Sequence, residues 1–526
     1  MPGCAILDVY GEVTEWLKVH AWKVCVRGNS HREFESHPLR QEIIYMTRRF
    51  GKLEAISFIT GFSLMAYELV AARILAPSIG SSTYVWTSVI GVIIAALSLG
   101  YWMGGTIADK RKATSDVVWL LLLSAIMVVL TLVSYVTVLD WVVLLSGDPR
   151  VQAVLAACLL FAPASFLLGM ISPYLAKLNI THIQTSGKKV ASLSALNSVG
   201  GITGTFVTGF VLFGYIGARE TLYIVVILLL AASWLLVWRY RRTQRIILSV
   251  VLLLAVVVPA PRTPGVVDID TPSAHYQVIT YEAPLGLARG LVTGPTGAQS
   301  AVYVDGYGEQ VFWYTQELAR LLLEQRPKQI LMLGGGAFTL PQYVAERLPD
   351  SRIDVVEIDP ELERISEHYF HYNHPSNVRL IFDDARTYVN QMTAQYDAIV
   401  VDVYGDSSIP FSLMTREFAH NLAARTSDSG VVYVNLVAGM IGPCRAVFAA
   451  VDSAYRSQFS AVAYTNESAM PERWANHIVA YGRDSVRVSG LRELQPLGGP
   501  TYTDNYAPSE RLNFDCRQSR STKVAQ

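Results

Sequence analysis

From about Leu53 to Ala260 the chain alternates long apolar runs with short polar connections, and after Pro264 it changes to short segments of mixed period. A bilayer core of about 30 Å needs about 20 apolar residues per helix. The runs predict spans near 54–74, 84–106, 117–139, 151–175, 191–214 and 220–238, followed by a shorter run at 246–260. Residues 46–262 are therefore expected to form a multi-pass α-helical membrane domain of six to seven helices. In 263–312, HYQVITYEA, GLARGLVTG and SAVYVDG have strand character broken by Gly and Pro, which predicts a small antiparallel β domain. An amphipathic helix is expected over Gln310–Glu324. Strands at 329–333, 353–357, 378–382, 398–402 and 430–436 then alternate with helices at 340–347, 361–369, 385–394 and 415–425. Such alternation predicts an α/β, Rossmann-like, doubly wound parallel sheet over 313–512, with ligands gathered at the carboxyl ends of its strands. The stretch 513–526 is expected to be a disordered tail.

Charge adds an orientation. Arg48, Arg49 and Lys52 precede the first span, Lys110–Lys112 follow the second, Lys188 and Lys189 the fourth, and Arg239, Arg241, Arg242 and Arg245 the sixth. Loops rich in Lys and Arg stay in the cytoplasm. The run at 246–260 would cover only roughly 22 Å as a helix. It can therefore be re-entrant or interfacial, or cross a locally thinned bilayer. A full crossing would deliver the soluble half to the outside, where nucleoside cofactors are scarce, and on that chemical ground the soluble half is expected in the cytoplasm. Lys plus Arg and Asp plus Glu both total 43, so no global field points to nucleic acid. Glu68 and Arg73 lie in an apolar run and are expected to pair with each other near a helix end broken by Pro77; a polar pathway is the alternative. Gly100 with Gly104, and Gly200 with Gly204, have the spacing of close helix contacts.

Residues 1–45 have neither helical nor strand period and no signal-peptide layout. Gly11-Glu12 and Pro38-Leu39 can be encoded by complementary codons, and Glu33-Phe34-Glu35 around GTTCGA, as in a transfer-RNA gene read through in frame. The natural start is accordingly expected at Met46, with a disordered amphiphilic leader as the alternative. The five cysteines have no CxxC and no His at ligand spacing, so neither a metal nor a disulfide framework is expected.

The chemistry lies in the second half. In QILMLGGGAFTLPQYVAERLPDSRIDVVEID, a strand runs into Gly334, Gly335 and Gly336, then a helix, then a strand ending in Glu357. Glycines allow a tight turn and close backbone approach, and Glu357, 23 positions beyond Gly334 (357 − 334), is placed to bind ribose hydroxyls. GGGAF is not a full GxGxxG, which favours a nucleoside over a pyrophosphate. Asp383 and Asp384 close the third strand, Asp402 the fourth, and Asp406 lies in the following loop. A single such aspartate is as well explained by a turn or helix cap.

Together these residues resemble the polyamine aminopropyltransferases, spermidine synthase among them, and in particular a membrane-fused subfamily. The resemblance covers about 273–512 and includes Tyr276-Gln277, Val304-Asp305-Gly306 with Gln310, GGGAFT, Glu357-Ile-Asp359-Pro360, Asp384-Ala385-Arg386, Asp402, Ile409-Pro410 through Phe418, and Thr503 to Pro508. It implies a class I methyltransferase-type fold and transfer of an aminopropyl group from decarboxylated S-adenosylmethionine, a co-substrate and not a tightly bound cofactor, to putrescine or a related amine. By resemblance, Gly334–Gly336, Glu357, Asp384, Ala385 and Gln277 hold the donor. Tyr276, Asp305, Gln310 and Asp504 line the acceptor side, and Asp406 and Asp402 act on the amine. An amine of pKa near 10 must lose a proton, and a carboxylate can hold the ammonium and take that proton.

The chain departs from the family pattern. The family loop is GGGDGG, and Ala337 stands at its aspartate; counting back from Thr415 puts the family's catalytic aspartate at Gly405, one residue before Asp406; a Tyr-His-Glu has become Tyr314-Thr315-Gln316. Two alternatives stay open: a methyltransferase using intact S-adenosylmethionine, and a membrane transporter or sensor whose soluble domain binds polyamine without turnover. Gly105 to Arg111 resembles a loop of major facilitator transporters, of which six or seven spans make half. The expected partners are a small polyamine, the sulfonium donor and a lipid bilayer, with oligomer formation left open and no metal or nucleic acid.

Overall fold

The computed structural model describes residues 51–180, 183–236, 240–257, 265–294, 297–306, 308–404, 409–466, 475–484, 486 and 488–524. Residues 1–45, and with them the expected leader, lie outside the described residues. So does Asp406.

The apolar runs form helices: α1 (Lys52–Ile79), α2 (Thr83–Lys110), α3 (Thr114–Leu145), α4 (Pro149–Leu160), α5 (Ala162–Asn179), α6 (Ser186–Val207, continuing through a π turn to Tyr215), α7 (Gly217–Leu236) and α8 (Arg242–Val257). Five are long and apolar enough to cross a membrane, or six if α4 and α5, bent by 53° at Phe161, form one span. Their inner faces make one apolar core around residues such as Tyr67, Val128, Phe161 and Val225. Glycines let backbones touch: a Cβ on Gly100 would sit 2.2 Å from the Phe166 carbonyl on α5, and one on Gly200 2.1 Å from the Phe58 carbonyl on α1. The expected pair of Glu68 with Arg73 does not form. Five residues apart, the two project from different sides of α1, and Arg73 donates instead to the Thr271 carbonyl at 2.7 Å and to that of Pro272. Nor does Pro77 end the helix, which continues to Ile79.

A four-stranded antiparallel sheet follows, β1 (Val266–Asp270), β2 (His275–Ala283), β3 (Gly286–Val292) and β4 (Ala298–Tyr303), in sequential order. Then come α9 (Trp313–Gln325), β5 (Gln329–Leu333), α10 (Thr339–Arg347), β6 (Arg352–Glu357), α11 (Glu361–Tyr369), β7 (Val378–Phe382), α12 (Ala385–Gln391), β8 (Tyr396–Val401), α13 (Arg416–Arg425), β9 (Thr426–Ala438), α14 (Arg445–Arg456), β10 (Ala461–Asn466), β11 (Ala475–Gly482), the short β12 (Arg492–Glu493) and α15 (Ser509–Val524). The second sheet has the order β7-β6-β5-β8-β9-β11-β10-β12, parallel from β7 to β9 and antiparallel beyond. Chain order reverses between β5 and β8, which makes the crevice above those strands the natural ligand site of a doubly wound sheet. Both faces are covered, one around Phe418, Phe448 and Tyr455, the other around Leu318, Phe338 and Val355.

Two expectations fail at the carboxyl end. The segment expected to be a disordered tail from 513 is helical to Val524, and Cys516 within it forms a disulfide with Cys444. With a sequence separation of 72 between the partners, no spacing motif reveals the pair.

Candidate active site

The β5–α10 turn is built by backbone geometry. Gly334 has φ +91°, and a Cβ there would lie 2.2 Å from the Asp402 carbonyl, so only glycine lets the ends of β5 and β8 approach. Hydrogen bonds continue past the strands: Gly334 N to Val356 O at 2.9 Å, Asp402 N to Leu333 O at 2.9 Å, and Asp383 N to Glu357 O at 3.1 Å. The strand ends are thereby level, and Glu357, Asp383 and Asp402 stand along one rim.

Above that rim is a cavity of about 730 Å³, bounded by the glycine turn, the small sheet and the carboxyl ends of β6 to β9. Glu357 forms its floor on one side. One carboxylate oxygen accepts from the backbone N–H of Gly335 (2.9 Å) and Gly336 (3.1 Å), the other from Ile358 (2.8 Å) and Asp359 (3.2 Å). Burial raises its pKa and these four donors oppose the rise. A carboxylate has about four lone-pair positions, so Glu357 clasps the loop as well as facing the cavity, and a ribose diol would share its oxygens. The small sheet buttresses the loop: Ser300 Oγ on β4 accepts from Ala337 N at 3.1 Å, and Tyr276 on β2 donates to Asp359 at 3.0 Å.

Asp402 forms the other side. It is ringed by protein, and burial pushes its carboxyl up to about 6 while the Asn435 amide, donating at 2.8 Å, pulls it down. Asn435 accepts in turn from Asn476 Nδ2 at 3.0 Å. Tyr404 donates to the Asn435 carbonyl and accepts from Val437 N, both at 2.7 Å, which fixes the ring at the cavity wall. Phe312, Trp313 and Tyr314 supply further aromatic surface.

Of the residues expected at the site, Gly334, Gly335, Gly336, Glu357, Asp384, Ala385, Tyr276 and Asp402 line the cavity. Asp384 is also the helix cap that single aspartates often are, accepting from Thr387 N at 2.9 Å. Four do not line it. Gln277 follows Tyr276 on a strand and so faces the other way, donating to Asp268 at 2.9 Å. Asp305 is exposed in the turn after β4. Gln310 is buried and donates to Thr339 O at 3.1 Å, holding the start of α10. Asp504 accepts from Arg386 at 2.6 Å and Thr415 at 2.7 Å, tying the 503–506 turn to α12 and α13. The sequence pattern does not mark Asn435, Asn476, Ser300 or Tyr404 as site residues. Asn435 was the most legible, a polar residue inside the apolar run VVYVNLV.

With this geometry, residues 312–481 match a known family, the spermine/spermidine synthase domain. The carboxyl-terminal half carries a spermidine synthase-like domain. Similar proteins include the polyamine aminopropyltransferase of Vibrio vulnificus, 35% identical over 142 residues (26% of this chain, 48% of the relative). A probable polyamine aminopropyl transferase of Bifidobacterium longum is 29% identical over 140 residues (27% and 31%). Putrescine N-methyltransferase 2 of Nicotiana attenuata is 32% identical over 156 residues (26% and 41%). The chain thus spans about half the length, or less, of these curated relatives. The spermidine synthase-like match begins at Phe312, so the small sheet that props the glycine loop lies outside it.

Proposed function

We propose that this chain is a membrane-embedded transferase that moves the aminopropyl group of decarboxylated S-adenosylmethionine onto putrescine or a related amine. The charge of the cavity carries this proposal: Glu357, Asp383, Asp384 and Asp402 line it, and among its described lining residues there is no Lys, Arg or His. A donor bearing a sulfonium and an ammonium, and an acceptor bearing ammoniums, suit such a surface. A donor that kept its carboxylate would find no cation to pair with.

In the reaction the acceptor nitrogen attacks the methylene next to sulfur. The C–N bond forms, the C–S bond breaks with its electrons going to sulfur, methylthioadenosine leaves, and the amine sheds one proton. Asp402, ionised above about 6, is the described group placed to hold the ammonium and take that proton. The glycine loop and Glu357 hold the nucleoside, and Asn435 orients Asp402.

The bilayer is supported by the helices of crossing length and by apolar side chains on their outer faces, such as Trp102, Leu144 and Phe210. A second reading, methyl transfer to an amine, is favoured by Ala337, which is fully buried and offers no carboxylate where the family's loop has an aspartate. Incubating the full chain with each donor and putrescine separates the two. Methylthioadenosine is expected, S-adenosylhomocysteine indicates methyl transfer, and neither product removes both.

A further inference from the structure

The helices have two chemically different ends. At one end lie Lys52, Lys110, Arg111, Lys112, Lys188, Lys189, Arg241 and Arg242. The connections that carry them are gathered together: Lys112 donates to Ile180 O at 2.9 Å and Lys189 to Asn179 O at 2.8 Å. At the other end are the α1–α2 and α3–α4 connections and the start of α7, where Arg150 is paired with Asp148 at 2.9 Å.

The soluble half docks on that second end. Arg73, near the end of α1, donates to Thr271 O at 2.7 Å. Asp270 accepts from Ala218 N, at the start of α7, at 3.0 Å. Glu510 on α15 accepts from Thr83 N, at the start of α2, at 3.1 Å, and the Phe514 ring lies 4.0 Å from the Arg150 guanidinium. The chain reaches this end by way of α8, which runs back along α7. Arg245 donates to Ser233 O near the carboxyl end of α7, whereas Asp270 meets Ala218 at its amino end. Between Ala218 and Ser233 a helix rises about 22 Å.

We infer that the soluble half lies on the non-cytoplasmic face of the membrane, with α8 as a short further crossing and both substrates entering from that face. This rests on the membrane-embedded bundle proposed above and reverses the expectation of a cytoplasmic domain, which followed from where nucleosides are made. Basic connections remain in the cytoplasm, and they are at the end away from the soluble half. Independent support comes from the disulfide between Cys444 and Cys516, both buried, because such bonds persist in oxidising compartments and are rare in the cytosol. It staples α15, which carries the docking residues Glu510 and Phe514, to the start of α14.

The test uses the full chain in a bacterial host, with Cys4, Cys25 and Cys158 replaced by serine and one probe cysteine added. A membrane-impermeant maleimide is applied to spheroplasts before and after lysis. Asp350→Cys, in an exposed turn of the soluble half, is expected to label fully before lysis, and Lys188→Cys only after it. Ser376→Cys, also exposed, repeats the first measurement should Asp350→Cys not fold. The reverse pattern overturns the inference, as does alkylation of Cys444 and Cys516 in denaturant without reductant. Alkaline carbonate distinguishes the two possible failures. Protein released by it removes the membrane-embedded bundle and this inference together, whereas protein retained with the reverse labelling removes this inference alone.

Discussion

Asn435 donates its side-chain amide to Asp402 at 2.8 Å, a contact between β9 and the loop after β8 that joins the one cavity carboxyl held at about 6 to the one amide that opposes its rise. A donor to a carboxylate stabilises the charged form, so removing it raises the pKa further. With Asp402 as the base, turnover rises with pH through about 6 in the native protein. In Asn435→Ala the acid limb moves to higher pH, and in Asp402→Asn the rate falls by about 10²-fold or more. A limb that stays in place in Asn435→Ala assigns the proton to another group.

Glu357 makes a different prediction because it acts on the loop. In Glu357→Gln one of the oxygens that accept from backbone N–H groups becomes an NH₂, which sets donor against donor. Leaving such groups unpaired costs about 1–3 kcal/mol, so donor affinity should fall by roughly 10- to 100-fold. Calorimetric titration of the full chain with the donor reads this directly. Unchanged affinity would show that the loop holds its shape without Glu357.

Element types in the soluble half were legible because period and punctuation agree there: β5, α11 and β7 occupy the spans their patterns predict. The glycine-turn side of the cavity was legible for the same reason, since glycines and acids at strand ends are local features. The side formed by the small sheet and β9 was not. Whether Tyr276 or Gln277 faces the cavity depends on the phase of one strand, and both residues have polar atoms, so composition does not decide between them. Asn476 reaches Asn435 only because β11 pairs with β9 in antiparallel register, with Ile478 opposite Asn435, a long-range fact absent from any local window. The α15 helix is not legible in the sequence because its charged residues have no apolar period; its first two turns are fixed by Phe514 and the Cys516 disulfide.

Asp504 separates a structural role from the acceptor-binding role its motif implies. Its carboxylate pairs with Arg386 and Thr415, away from the cavity lining. Asp504→Ala is therefore expected to lower stability by about 1.5–3 kcal/mol, the range for hydrogen bonds to a charged group, and to leave the acceptor KM close to native. Thermal unfolding and steady-state kinetics on the same preparation check both halves. A raised KM with native stability would return Asp504 to the substrate.

His275 makes stability at the docking junction depend on pH. Burial by itself would lower its pKa, but Asp268 and Asp270 outweigh that and hold it at about 9, above the ordinary 6.5. Asp270 bonds His275 at 2.8 Å with one oxygen and Ala218 N at the start of α7 with the other. Because the folded value lies above the unfolded one, the folded state binds more protons between them. The stabilisation is complete below 6.5 and is lost as pH rises through about 9. The full chain in detergent should accordingly melt at falling temperature across that window, and His275→Gln should flatten the dependence there while lowering the melting point at pH 6. If His275→Gln keeps the native slope, the charge on this imidazole does not hold β1 against α7.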